Sequence, residues 1–306
     1  MNEELVSIIM PAFNAERFIS EALASVGSQT YTRWEIIVTN DGGADNTPQI
    51  VSRFARQISQ PLKLLYHAQP QGPSAARNTA MKAATGNYIA FLDADDYWLP
   101  DHLESLYAIL SAGKGDLAYS DPYVFCETST GEIKLLPIDT TAITNPGADL
   151  FRRNFINTSA AAITRRLMEA VGDFDRTLWA GEEADYWIRS AIMGFQIAGT
   201  GKQTYYYRKS AESLSAAPAR MAEGAARIFE KHKDCGILSE VDLAAKARDH
   251  YFAAGKLYWR KDAAAAQRNF YKSWALDRLR VMPLLCFFAA SGLKLTRLHQ
   301  RNGARA

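Results

Sequence analysis

Carboxylates at the ends of apolar runs carry most of the chemistry this sequence offers. Phe91-Leu92-Asp93-Ala94-Asp95-Asp96 closes one such run. Residues two apart in an extended chain point the same way, so Asp93 and Asp95 can converge on one ligand. Paired hard oxygens suit Mn²⁺ or Mg²⁺, and such a cation in turn binds a diphosphate. Three acids against an apolar strand also repel one another unless a cation sits among them. The plain alternative is a capped loop leading into a helix at Asp101.

Three further clusters share this placement. Asp41 stands in Asn40-Asp41-Gly42-Gly43-Ala44-Asp45. A carboxylate there can accept from a nucleobase N–H while the glycines let backbone approach closely, although Asp and Gly are equally at home in a simple turn. Glu182 and Glu183 lie in Gly181-Glu182-Glu183-Ala184-Asp185, at a helix start where acids also serve as ordinary dipole partners. Arg77-Asn78 follows the glycine-bearing turn Gly72-Pro73-Ser74. Such a turn before a helix can meet an anion or a base, and a plain surface arginine reads the same way.

These clusters need a frame that gathers strand ends, and the first third of the chain alternates strand and helix patterns. Residues 6–10, 34–39, 62–66 and 88–92 are short apolar runs that predict strands. Between them, Asn14 is expected to cap a helix whose apolar face is Phe18, Ile19, Ala22, Leu23 and Val26. Thr47-Pro48 opens a second helix burying Ile50, Val51, Phe54 and Ile58, and Ser74 opens an Ala-rich third that stops at Gly86. This order predicts an α/β fold with a parallel sheet, whose ligands sit outside the carboxyl ends of its strands. Residues 115–147 are less regular, with a hairpin expected at Gly131-Glu132, and residues 155–210 mix strand and helix. From Pro218 onward the pattern is helical, with a helix–turn–helix unit over residues 253–276. The division expected is therefore a domain over residues 1–215 and a helical region over 216–306.

Bulk properties narrow the class. With 306 residues and 48% hydrophobic content the chain can bury a sizeable core. A net charge of +2 makes no case for a nucleic-acid partner. Cys126, Cys235 and Cys286 lie far apart without metal-ligand spacing, which predicts a reducing, cytoplasmic compartment. Residues 1–7 lack the pattern of a signal peptide, and no apolar run reaches the roughly 20 residues that span a bilayer. The last segment is uneven in charge: residues 278–306 contain Arg and Lys but no Asp or Glu. Its apolar stretch, residues 281–290, beside Lys294, Arg297 and Arg301, can lie on an anionic membrane surface or close a helical core.

Taken in order, Met10-Pro11-Ala12-Phe13-Asn14, the run 38–47, Ala76-Arg77-Asn78, the run 91–96 and the run 181–189 resemble the large inverting glycosyltransferase family 2 over about residues 5–215. The resemblance implies an α/β, GT-A-type, mostly parallel sheet flanked by helices, here with a C-terminal all-helical appendage. It implies a nucleotide-diphosphate-sugar donor (a UDP-sugar above all), a divalent Mn²⁺ or Mg²⁺ cofactor, and a glycan or lipid-linked acceptor in cell-surface polysaccharide or glycolipid synthesis. By the same resemblance Asp41 contacts the donor base, Pro11 and Phe13 line its pocket, and Arg77 lies near base or diphosphate. Asp93 sits at the ribose and metal side, Asp95 binds the metal, and Glu183, preceded by Glu182, occupies the place of the catalytic base.

Some positions depart from the family pattern. Asn40 stands where relatives often have Asp, Gly43-Ala44 replaces Ser-Thr, and Glu183 replaces the usual Asp. Lys209-Ser210 follows Tyr207-Arg208 where some relatives have His, so a third protein metal ligand is not implied. The chemistry expected from the residues is consistent with the family's. A cation offsets leaving-group charge, a carboxylate takes the acceptor proton, and attack opposite the leaving group inverts the anomeric carbon. The alternatives are a nucleotide-sugar-binding module without catalysis and a sugar nucleotidyltransferase, whose usual Gly-rich triphosphate loop Met10 to Asn14 lacks. A glycosidase would need two carboxylates flanking the bond and would leave Asp41 and Arg77 unexplained.

Overall fold

The computed structural model describes residues 4–127, 132–137, 143–151, 153–210, 217–236, 243–259, 261–278 and 281–290. The chain forms two compact units, Met1–Ser213 and Leu214–Ala306. The first unit runs β1 (Val6–Ala12), α1 (Ile19–Gly27), β2 (Trp34–Asn40), α2 (Thr47–Ala55), β3 (Leu62–Tyr66), α3 (Pro73–Ala83), β4 (Tyr88–Phe91), β5 (Tyr97–Trp98) and α4 (His102–Ser111). It continues through β6 (Leu117–Glu127), β7 (Ile133–Leu135), α5 (Pro146–Leu150), a 3-10 turn (Thr158–Ala160), β8 (Ala161–Thr164), α6 (Arg165–Val171), α7 (Glu182–Ile192) and β9 (Ile197–Lys209).

The strands form one sheet in the order β3-β2-β1-β4-β8-β6-β9-β5, with β7 paired to β6. β1 to β4 are mutually parallel, as the strand–helix alternation predicts. Beyond β4 the sheet is mixed: β8 runs antiparallel to β4 and β6, β6 and β9 are parallel, and β5 closes antiparallel on β9. β1 to β4 read as unbroken apolar runs in part because both faces of the central strands are covered. Ile8 and Met10 join Ile36, Val38, Leu23 and Leu106 in one cluster, while Ile9, Ile37 and Phe91 are buried as well. The chain steps outward from β1 to β3, then returns to lay β4 on the other side of β1. That reversal makes the carboxyl ends of β1, β2 and β4 the natural ligand crevice.

One buried carboxylate helps lock this half of the sheet. Glu35 on β2 accepts from Ser7 Oγ at 2.7 Å, from the Thr85 amide at 2.6 Å and from Lys63 Nζ at 3.0 Å. Burial opposes its charge, but these hydrogen bonds outweigh it and hold the carboxyl down at about 2.

Several local expectations shift. Asn14 does not cap α1; it takes a left-handed φ of 46° and accepts from the Ala44 amide at 3.0 Å, tying the Asp41 loop to the end of β1. Asn46, not Thr47, flanks α2, because Thr47 Oγ1 is spent on the Ala15 amide at 2.9 Å. Helix α3 begins at Pro73 rather than Ser74 and ends at Ala83, three residues before Gly86. The expected hairpin is present as the antiparallel pair β6 and β7, with residues 128–131 outside the described residues.

The second unit contains α8 (Pro218–Lys231), α9 (Leu243–Tyr258), α10 (Ala263–Leu276) and α11 (Val281–Ala290). Ile228, Ala247, Tyr251, Ala254, Ala266 and Phe270 form buried positions, and Asp262 caps α10 by accepting from the Ala265 amide at 2.9 Å. On α11, Met282 and Leu285 are exposed. The basic positions Lys294, Arg297 and Arg301 lie outside the described residues. No helix among the described residues is long and apolar enough to cross a membrane.

Candidate active site

The carboxyl ends of β1, β2 and β4 carry the residues singled out in the sequence. Pro11 is half-buried in β1 and Phe13, just beyond it, is exposed. Asp41 follows β2, with its amide on Ala12 O at 2.8 Å. Its carboxylate receives His67 Nδ1 at 2.6 Å and the Gly72 amide at 2.7 Å, with the Gln71 amide at 3.0 Å. His67 Nε2 lies 2.8 Å from Thr79 Oγ1, so the ring bridges the β2 end to α3. His67 directly follows β3 as Asp41 directly follows β2, and that shared strand-end position is the signal that could have found it.

Arg77 is buried on α3 and joins two of the other clusters. One terminal nitrogen donates to Asp93 and the other to Glu182, each at 2.7 Å. Its Nε has no hydrogen-bond partner among the described residues. Burial works against the guanidinium charge, but Asp93 and Glu182 overcome that and raise its pKa. Asn78, the next residue, donates to Phe174 O at 2.9 Å and accepts from the Phe174 amide at 2.8 Å. The Arg-Asn pair thus draws the segment before α7 onto α3. In this state Arg77 faces carboxylates with both terminal nitrogens.

The acids at the end of β4 divide by role. Asp96 is buried, accepting from Ser159 Oγ at 2.6 Å and from the Arg208 amide at 2.9 Å, so it fastens the β4 end to the 3-10 turn and to β9. Burial and the charges of Asp95 and Asp93 push its pKa well up. Asp95 is half-buried, and among the described residues its carboxylate has no side-chain hydrogen bond or ion pair. Burial first, and then the charge of Asp93, raise it to about 6. The mutual repulsion expected of three adjacent acids is therefore partly answered by the protein itself: Arg77 pairs Asp93, and hydrogen bonds hold Asp96. Ser159 and Arg208 lacked a sequence signal because their contacts with Asp96 are made 63 and 112 positions away.

Glu182 and Glu183 are the first residues of α7, behind Gly181 in a left-handed conformation with φ 76°. A side chain is disfavoured at that φ, which is why glycine precedes the pair. Glu182 is buried against Arg77, whereas Glu183 accepts from Asn154 Nδ2, at 2.7 Å. Burial, followed by the neighbouring charge of Glu182, pushes Glu183 up to about 8. One arginine thus neutralises one acid from each pair and leaves Asp95 and Glu183 without an ion pair among the described residues.

No three of His, Cys, Asp and Glu gather as a ready-made metal cage among the described residues. Mn²⁺ and Mg²⁺ do not need one, since they are usually held by one or two carboxylates plus phosphate and water oxygens. Asp95, open and unpaired, with Asp93 beside it, fits that pattern.

The comparisons with known proteins bear on the family and the fold. The family model for glycosyl transferase family 2 matches residues 7–169. The chain belongs to glycosyl transferase family 2. Among its relatives, the Escherichia coli UDP-Glc:alpha-D-GlcNAc-diphosphoundecaprenol beta-1,3-glucosyltransferase WfgD is 47% identical over 34% of this chain and 40% of its own. The Escherichia coli enzyme of the same description named WfaP is 30% identical over 70% of this chain and 80% of its own. The first relatives are spanned over only part of their length, 40% for WfgD and 54% for an uncharacterized glycosyltransferase of Haemophilus influenzae. Solved structures show the same fold. S. aureus TarS 1-349 in complex with UDP-GlcNAc gives a TM-score of 0.62 at 17% identity, covering 94% of this chain and 88% of that one. The Pyrobaculum calidifontis mannosyltransferase PcManGT in complex with GDP-Man and Mn²⁺ gives 0.61 at 20% identity, covering 97% and 82%. The GT-A-type fold inferred for this family 2 chain is thus shared with both.

Proposed function

We propose that this family 2 chain transfers a sugar from a nucleotide-diphosphate-sugar donor, a UDP-sugar above all, to an acceptor hydroxyl with inversion at the anomeric carbon. The observation that carries this reading is the division of four carboxylates by Arg77: Asp93 and Glu182 are paired, while Asp95 and Glu183 stand ready for a cation and a proton. Asp41, with Pro11 and Phe13, holds the donor base, and Asp93 lies on the ribose side. Arg77 acts on the donor chiefly through the carboxylates it holds. Asp95, with Asp93, would hold Mn²⁺ or Mg²⁺. When bound, that cation neutralises the diphosphate as it leaves. Glu183 takes the acceptor proton as the acceptor oxygen bonds to the anomeric carbon and the bond to the diphosphate oxygen breaks. Glu182, fixed by Arg77, keeps the start of α7 in place.

The relatives named for a diphosphoundecaprenol-linked sugar support a glycan or lipid-linked acceptor and a role in cell-surface polysaccharide or glycolipid synthesis. The proposal places the reaction on the cytoplasmic side of the membrane. Peripheral contact is made through residues 281–306, where exposed Met282 and Leu285 are followed by basic residues without acids. Incubation with α-linked UDP-sugars, Mn²⁺ and candidate acceptors, read by product NMR, tests the reaction. A β-linked product is expected, and retained configuration would contradict the mechanism.

A further inference from the structure

Trp179 is 63% exposed, a large apolar surface to leave in water. Two other tryptophans show the usual fate: Trp98 and Trp187 are buried and donate their indole N–H to Ser159 O and Ile156 O. Trp179 makes no hydrogen bond or ring contact with any described residue.

The segment that carries it is nevertheless held firmly. Leu178 and Ala180 on either side are buried at 5% and 6% exposure. Upstream, Arg176 donates to Gln71 Oε1 at 2.8 Å, Ser74 Oγ donates to Asp175 O at 3.2 Å, and the Asn78–Phe174 pair fixes the base of the loop. The indole edge stands over Gly72, 3.7 Å from where a side chain would begin, and Gly72 has a φ of 92° that glycine alone accepts readily. Downstream, the left-handed Gly181 turns the chain into Glu182 and Glu183. Four residues of chain reach at most about 14 Å, which bounds the backbone separation of Trp179 and Glu183.

An indole without a partner among the described residues, projecting from an anchored loop four positions before Glu183, suits a sugar. The C–H face of a pyranose packs on the aromatic face, and the N–H can meet a hydroxyl at the rim. We infer that Trp179 is the platform on which the acceptor's pyranose ring rests, presenting its hydroxyl to Glu183. This rests on the glycosyl-transfer reading. The acceptor is chosen over the donor because Trp179 lies on the segment entering α7; Gly72 beneath the ring also donates its amide to Asp41, so a cover for the donor base is the outcome that overturns the inference.

Indole N–H spectra of the full chain, labelled with ¹⁵N-tryptophan, test this. The chain has six tryptophans, and W179F assigns the Trp179 signal. The probes are UDP with Mn²⁺, and the methyl α- and β-pyranosides of glucose, galactose, mannose and N-acetylglucosamine. With UDP and Mn²⁺ bound, at least one pyranoside should shift the Trp179 signal selectively. W179A should weaken that pyranoside roughly tenfold while leaving UDP affinity unchanged within about twofold. The inference is overturned if no pyranoside moves Trp179, or if UDP moves it and pyranosides add nothing, which would make the ring a cover for the donor base. Calorimetry with UDP and Mn²⁺ separates the two levels. No UDP binding by the wild type strikes the glycosyl-transfer reading and the acceptor assignment with it, while UDP binding without a pyranoside effect strikes the platform alone.

Discussion

Arg77 donates to Asp93 and to Glu182 from its two terminal nitrogens, at 2.7 Å each, and so links the end of β4 to the start of α7. Breaking a buried ion pair by removing one partner leaves uncompensated charge behind. R77A should therefore lower unfolding stability by about 3–5 kcal/mol. Urea melts of wild type and R77A check this. Equal stability of the two would mean that the paired charges contribute nothing net.

Asp95 and Asp96 are adjacent in sequence and opposite in expected consequence. D95A removes a carboxylate without a side-chain partner among the described residues, so the fold should keep its stability while Mn²⁺-dependent binding of UDP disappears. D96A strips Ser159 and the Arg208 amide of their acceptor and should cost about 1–3 kcal/mol of stability. Calorimetry with UDP, with and without Mn²⁺, and thermal melts of both variants distinguish the roles. Unchanged metal dependence in D95A would remove Asp95 from the metal site.

Glu35 provides a pH signature unconnected with the active site. Its folded pKa of about 2 lies below the ordinary 4.5, so its charge stabilises the fold above the unfolded value. That contribution is about 2–3 kcal/mol and is lost as pH falls from about 5 toward 2. E35Q should be less stable than wild type by a near-constant amount around neutrality, and the two melting curves should converge in acid. Parallel curves throughout would show that the hydrogen bonds to Glu35 do not depend on its charge.

Much of this was legible in the sequence because it is local. The four parallel strands announce themselves as apolar runs, and Asp41, Asp93 and Asp95 stand at their ends. The ion pairs of Arg77 were not legible: only the fold brings Glu182, 105 positions away, onto it. The expected Asn14 cap failed for a similar reason, since its side chain is claimed by the Ala44 amide across the crevice. The division between Asp95 and Asp96 also needed three dimensions. Their surroundings in sequence are the same, and Ser159 and Arg208 decide which of them is occupied.

The membrane proposal concerns the last segment. Each basic residue near an anionic surface contributes about 1 kcal/mol, and the attraction is screened by salt. The full chain should co-sediment with anionic vesicles at low salt, release as salt rises, and fail to bind when residues 281–306 are deleted. An intact, folded chain that ignores anionic vesicles at low salt would leave α11 as scaffold.

Glu183 is the residue on which the central claim turns. With its carboxyl raised to about 8 by burial and by Glu182, only part of it is ionised at neutral pH in the resting protein. For wild type, kcat/KM should therefore rise with pH and level off above about 8, reporting the free enzyme's base. The most direct measurement is the turnover and UDP affinity of E183Q beside wild type, across that pH range with Mn²⁺. General-base loss predicts turnover lower by about a hundredfold to ten-thousandfold, no rising limb, and intact UDP binding. Turnover near that of wild type, or binding and turnover lost together, would contradict the assignment of Glu183 as the base.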